Sequence, residues 1–228
     1  MTPDALNNPI WSALISAQSH FAIGGPLAKR YPAEVAPFMA TPEPSAAAAR
    51  ALAELVEPGE IVNIISVTPK LDAGWELLAT GNIVQMVWRQ DAPVPNEDTS
   101  SITPLTDDDA PDMLALTALV FPGYFRRRTP EMGEYFGIRQ HGRFAAMAGE
   151  RMKLHGYEEI SAVCTHPDFT GRGYAARLIN HLVAKQLKRG ITPFLHVNET
   201  NARARALYVR LGFEDRALLP LWLLKRAS

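Results

Sequence analysis

The sequence predicts an α+β protein: a mixed, mostly antiparallel sheet with flanking helices over residues 100–228, preceded by a smaller α+β N-terminal domain over residues 1–95. Three observations predict it. Residues 159–197 read as strand, glycine turn, amphipathic helix and strand, with hairpin signals around them. Residues 91–98, Asp-Ala-Pro-Val-Pro-Asn-Glu-Asp, are rich in proline and acid and read as a linker. The stretch before that linker carries helix and strand patterns of its own, but its glycine pair, Gly24-Gly25, does not open a helix.

Composition narrows the class. The chain has 228 residues, room for one large or two small domains. A hydrophobic content of 47% with 21% charged residues is that of an ordinary soluble globular protein. The formal net charge of -1 speaks against a nucleic-acid footprint or attraction to a membrane surface. A single cysteine, Cys164, rules out an internal disulfide and a multi-cysteine zinc site, and its apolar strand suggests a packed thiol rather than a nucleophile. The histidines fall in no metal-ligand spacing, so no metal site is expected. Met1-Thr2-Pro3-Asp4 lacks the pattern of a secretory leader, and no apolar run approaches a membrane span. A cytoplasmic location is the expectation.

Taken in order, residues 10–14 suggest a first helix. Residues 20–23 and 27–31 flank Gly24-Gly25 as a hairpin. Residues 34–39 suggest a strand, which Pro37 would confine to an edge. The alanine-rich run 44–56, closed by Pro58-Gly59, is a helix. Residues 61–67 form the clearest strand of this half, 75–80 suggest a short helix, and 84–88 a last strand. After the linker, 102–105 is a short strand. Thr106 then caps a helix whose first turn holds Asp107, Asp108 and Asp109, acids suited to a helix start rather than to a metal. A basic, aromatic loop spans 124–134. Residues 138–140 and 144–151 are strands about the turn at His141-Gly142-Arg143.

The central strand, 159–165, ends at Pro167. Thr170-Gly171-Arg172-Gly173-Tyr174-Ala175 follows, and then a helix with Ala175, Leu178, Ile179, Leu182, Val183 and Leu187 on one face. Lys188, Arg189 and Gly190 end it. Residues 192–197 are the next strand, 201–211 a helix ended by Gly212, and 213–214 and 219–225 closing strands. A glycine turn into a helix N-terminus presents unpaired N–H groups at the positive end of the dipole, which is an anion site. Taken alone, Gly171 and Gly173 fit a tight connection as well as a phosphate cradle. With Ala176 and the later Glu199 they also fit a dinucleotide fingerprint. Too little chain follows for the further strand–helix units of a doubly wound domain.

Motif and element order together resemble the GNAT superfamily of acyl-CoA N-acyltransferases over roughly residues 100–228. The family loop is Q/R-x-x-G-x-G/A; here Thr170 departs from it by replacing the long polar residue at the first position, and Gly171, Gly173 and Ala175 carry the likeness. A second signature, Asn-x-x-Ala-x-x-x-Tyr, appears as Asn201, Ala204 and Tyr208. The two-part layout is similar to the glycine N-acyltransferase-like group, in which a degenerate GNAT-like half precedes the active one.

The resemblance implies middle strands that run parallel and splay apart. It also implies direct transfer of an acetyl or other short acyl group from acyl-CoA, as cosubstrate, to a primary amine of a small molecule or peptide. The pantetheine arm would lie along the backbone of Val163, Cys164 and Thr165. The pyrophosphate would rest on Gly171, Arg172, Gly173, Tyr174 and Ala175, with Asn201 beside it. Tyr208 would protonate the departing thiolate, its phenol pKa near ~10 keeping it protonated at neutral pH. Glu159 is the candidate general base, with Glu158 and Glu150 behind it. The bland readings are a strand-end acid in solvent for Glu159 and a packed helix-face aromatic for Tyr208. The segment from Phe121 to Tyr135, with Tyr124, Phe125, Arg126, Arg127 and Arg128, would wall the acceptor site, where an arginine could pair with an acceptor carboxylate. Two other functional classes are a non-catalytic acyl-CoA-binding or regulatory protein on the same fold and a nucleotide-binding oxidoreductase, the latter disfavoured by the loop's position late in the chain.

Overall fold

A computed structural model of the chain describes residues 4–68, 70–95 and 99–227. Part of the expected linker, residues 96–98, and the first three residues of the expected leader-free terminus lie outside them. The described elements are α1 (Pro9–Leu14), β1 (Ile23–Gly24), β2 (Lys29–Arg30), β3 (Phe38–Ala40), α2 (Ala46–Ala53), β4 (Ile61–Ile65), β5 (Trp75–Trp88), β6 (Ile102–Pro104), α3 (Ala110–Val120), β7 (Tyr135–Gln140), β8 (Arg143–Leu154), β9 (Tyr157–Thr165), α4 (Tyr174–Lys188), β10 (Thr192–Asn198), α5 (Ala202–Leu211) and β11 (Phe213–Arg226).

Eleven strands form one sheet in the order β1-β2-β3-β4-β11-β5-β10-β9-β8-β7-β6. The pairs β3/β4 and β9/β10 are parallel and the other described pairs antiparallel. This is the mixed, mostly antiparallel α+β architecture the sequence predicts. The two sequence stretches share the sheet: β5, from before the linker, lies between β10 and β11, from after it.

Alternation along the strands divides the core between the two faces. One cluster packs α4 against the sheet through Leu178, Ile179, Leu182 and Val183, with Leu195, Val197, Met86 and Trp88. On β3 and β4, Met39 and Ile64 join the α2 cluster, whereas Phe38, Ala40 and Ile65 join that of α1. Cys164, Met147 and Ala162 pack with Met113 and Leu116 of α3.

Helix starts follow their caps. Ser45 Oγ accepts from the Ala48 N–H at 3.1 Å, and the Asp109 carboxylate accepts from the Thr106 N–H at 3.0 Å. The acid triplet is thus a helix start, as expected.

Three expectations need correction. Residues 75–80 are not a helix but the start of β5, where Thr80 pairs with Trp222 and Leu77 with Leu224. Their partner is distant in sequence, so no local signal marks it. The strand expected over 34–39 is confined to Phe38–Ala40 and sits inside the sheet, between β2 and β4. Pro37 precedes it, so no ladder donor is missed, and the Pro37 carbonyl accepts from the Asn63 N–H at 2.7 Å. Residues 19–21 form a 3-10 turn, which leaves Ile23–Gly24 as the first arm of the hairpin.

Candidate functional site

The site begins where β9 and β10 part. They pair in parallel at Thr192↔Tyr157, Pro193↔Glu158 and Phe194↔Glu159, and no further, although both strands continue. The opening is reinforced by an irregularity in β9. Met147 pairs with Cys164 and Gly149 with Ser161, so β9 carries an extra residue there, and Ala162 takes a left-handed φ of 51°. The side-chain alternation slips accordingly: Ile160 and Val163 both meet the α4 cluster, three residues apart. A bulge leaves one residue out of the ladder, so β9 has backbone polar groups to spare at the opening.

Two cavities flank that point, and Val163 and Tyr208 line both. The first, about 360 Å³, contains Thr165, Gly171, Arg172, Gly173, Tyr174, Ala175 and Asn201. Gly171 and Gly173 have φ of 79° and 76°, and a Cβ on either would meet nothing within 4 Å. The space above the turn is therefore free, and the backbone conformation favours glycine. No side chain caps the start of α4, so its first N–H groups stay available to an anion.

The side chains here are largely committed. The Tyr174 hydroxyl donates to Gln140 at 2.9 Å, and the Thr170 hydroxyl to the Pro167 carbonyl at 3.1 Å. Asn201 Oδ1 accepts from the Ala204 N–H at 3.1 Å, capping α5. Arg172 stacks 5.2 Å over the Phe169 ring. Cys164 is buried against α3 and lines neither cavity, and burial pushes its thiol up to about 12. Tyr208 is 8% exposed, packs edge-on to Phe213 at 6.3 Å, and burial pushes its phenol up to about 12.

The second cavity, about 270 Å³, is lined by Phe38, Ile65, Ile83, Tyr124, Arg151, Ser161, His196 and Leu221 among others. Glu159 stands behind its wall. Its carboxylate is fully buried and accepts from Arg151 at 2.8 and 2.6 Å and pairs with His196 Nδ1 at 2.7 Å. Burial opposes its charge, but the Arg151 ion pair and the two partners' hydrogen bonds hold its carboxyl at about 2. It is therefore not an acid in solvent.

Glu158 and Glu150 lie away from both cavities. Arg189 bonds each of them, and Lys153 sits 2.9 Å from Glu150. Of the expected acceptor wall, Tyr124 lines the second cavity, while Phe125 packs on Tyr135 and Arg128 pairs with Glu131 at 2.7 Å. The arginines 126–128 do not line it. Arg151, His196, Phe38 and Ile83 escaped the sequence reading. The available signal was a charged or polar residue inside an apolar strand, as at Phe194-Leu195-His196-Val197.

The family model of FR47-like proteins matches residues 135–222. A solved structure from Novosphingobium aromaticivorans, assigned to the GNAT family as an acetyltransferase, is 34% identical, with 99% of this chain and 100% of that one covered at a TM-score of 0.91. The ribosomal protein bS18-alanine N-acetyltransferase of Escherichia coli is 33% identical over 84 residues, which are 36% of this chain and 56% of that enzyme. The chain thus spans little more than half the length of the curated relatives it matches first. A GCN5-related N-acetyltransferase from Kribbella flavida has the same fold at 18% identity, with 95% of this chain and 96% of that one covered and a TM-score of 0.59.

Proposed function

Since this chain belongs to the GNAT superfamily of acyl-CoA N-acyltransferases, we propose that it moves an acetyl or other short acyl group from acyl-CoA to a primary amine by direct attack. The observation that carries this is the meeting of two cavities at Val163 and Tyr208, one ending on an open glycine cradle and the other beside Glu159 and His196. Bound acyl-CoA supplies the thioester. The N–H groups from Gly171 to Ala175 hold its pyrophosphate, and the backbone of Val163, Cys164 and Thr165, on the edge that β10 does not pair, bonds its pantetheine amides.

The amine nitrogen bonds to the acyl carbon, and the carbon–sulfur bond breaks. The departing thiolate takes its proton from Tyr208, which burial keeps protonated. The amine's proton leaves to water, since Arg151 and His196 close off Glu159 and both ring nitrogens of His196 are occupied, Nδ1 by Glu159 and Nε2 by Gln85. Residues 1–95 serve, in this reading, as a degenerate companion half that completes the acceptor wall.

One observation favours the second reading, a non-catalytic acyl-CoA-binding protein: the carboxylate of Glu159 is closed off by Arg151 and His196. Calorimetric titration with acetyl-CoA and with NAD tests the cradle. Acetyl-CoA should bind, NAD should not, and Gly173→Trp should abolish binding in a folded protein. Unchanged acetyl-CoA affinity in that variant removes the loop from the site. Thiol release in the presence of a panel of amines then separates the enzyme from the binding protein.

A further inference from the structure

The cavity beside Tyr208 is closed by both stretches of the chain. Phe38, Ile65 and Ile83 come from before the linker, and Tyr124, Val197 and Leu221 from after it. Phe38 and Tyr124 stack with their centroids 6.5 Å apart and their planes at 26°. A volume of about 270 Å³ lies at the small end of ligand pockets, enough for one ring and a short arm.

Two charged or titratable side chains other than tyrosine line the wall, Arg151 and His196, and neither offers a free charge. Arg151 donates from Nε and Nη2 to Glu159, whose charge balances its own, and lies 4.8 Å over the Phe38 ring. His196 is fixed by a chain of donors. Arg216 donates to Gln85 Oε1 at 2.8 Å, and Gln85 Nε2 donates to the Leu6 carbonyl at 3.0 Å. The Gln85 amide orientation is thereby set, and its nitrogen also lies 3.1 Å from His196 Nε2. That ring nitrogen must accept, since a proton there would face another donor. With Nε2 accepting from Gln85 and Nδ1 turned to Glu159, the His196 ring has no N–H left for the cavity. The remaining polar lining, such as Ser161 and Asn198, is uncharged.

A carboxylate entering this cavity would lose water and find no uncommitted cation. An aromatic body would find the Phe38–Tyr124 pair. We propose, resting on the acyl-transfer reading above, that the acceptor is an aromatic primary amine without a carboxylate, an arylalkylamine rather than an amino acid.

The test uses 2-phenylethylamine and phenylalanine, which share ring, arm and amine and differ by the carboxylate. Titrated calorimetrically into the full chain, the amine should bind at least about tenfold more tightly than the amino acid. With acetyl-CoA present it should be the one consumed. Phe38→Ala should weaken amine binding severalfold and leave acetyl-CoA affinity unchanged. Glu159→Gln frees the Arg151 guanidinium, so in a folded variant the preference against phenylalanine should shrink or reverse. Equal or tighter binding of phenylalanine by the parent overturns the inference, as does an amine affinity indifferent to Phe38→Ala or a preference untouched by Glu159→Gln. If acetyl-CoA binds but neither ligand does, the acceptor class is wrong and the acyl-CoA site stands. If acetyl-CoA itself does not bind, the acyl-transfer reading falls and takes this one with it.

Discussion

Tyr208 separates chemistry from packing. Among the described residues no side chain bonds its hydroxyl, while its ring packs on Phe213. Tyr208→Phe should therefore melt close to the parent and bind acetyl-CoA equally, yet lose about 10²–10⁴-fold in kcat. Steady-state rates beside a thermal melt decide it, and a retained kcat removes the residue from the mechanism. Glu159 carries the opposite signature. Its carboxyl is lowered from 4.5 to about 2, so the stability it contributes is present above about pH 4.5 and is lost as pH falls through about 2. Glu159→Gln leaves Arg151 buried without its counter-charge, at a cost on the order of 3–5 kcal/mol. It should also flatten the acid limb of the stability profile, as read by denaturant melts between pH 5 and pH 2. Unchanged acid unfolding would mean that Arg151 and His196 do not hold this carboxylate in solution. Both residues were found from sequence by their motif or strand position. What Glu159 touches was not, because Arg151 and His196 reach it from neighbouring strands.

At the scale of elements, the opening between β9 and β10 and the uncapped start of α4 make the site. Each has a local cause: Ala162 at its left-handed φ, and Gly173 at 76° just before the helix. Helix α5 then swings Tyr208 to the point where the cavities meet, and its start depends on Asn201. Asn201→Ala should cost about 1 kcal/mol through the lost cap. The readout is a chemical melt, with acetyl-CoA affinity measured alongside. A loss of affinity without a loss of stability would instead give Asn201 a direct role at the ligand. The glycine turn and the α5 cap were legible because both are local patterns of a few residues. The bulge was not, since nothing in Ser161-Ala162-Val163-Cys164 signals a left-handed alanine.

At the scale of the molecule, β5 is the joint. It pairs with β10 from Ile83 to Val87 and with β11 along most of its length, so the two stretches hold each other's strands. The chain should therefore unfold in one cooperative transition, followed equally by near- and far-ultraviolet circular dichroism. Residues 100–228 expressed alone would leave β10 and β11 with a gap between them and should lack a sharp melt. Two well-separated transitions, or a sharply melting 100–228 piece, would show that the strands are shared without being needed.

The sequence by itself determined the α+β class, the strand–turn–helix unit and the Asn201–Tyr208 helix, because helix periodicity and glycine turns are written in residues close along the chain, and its two short motifs carried the resemblance to the family. Tertiary structure alone decided that 75–80 is strand, since its partner, Trp222–Arg226 of β11, is remote in sequence. It alone built the second cavity from Phe38, Ile83, Arg151 and His196, and it alone paired the charges on that cavity's wall. Coulomb pairs and desolvation depend on distance in space, and only the folded sheet brings Glu159, Arg151, His196 and Gln85 within hydrogen-bond reach.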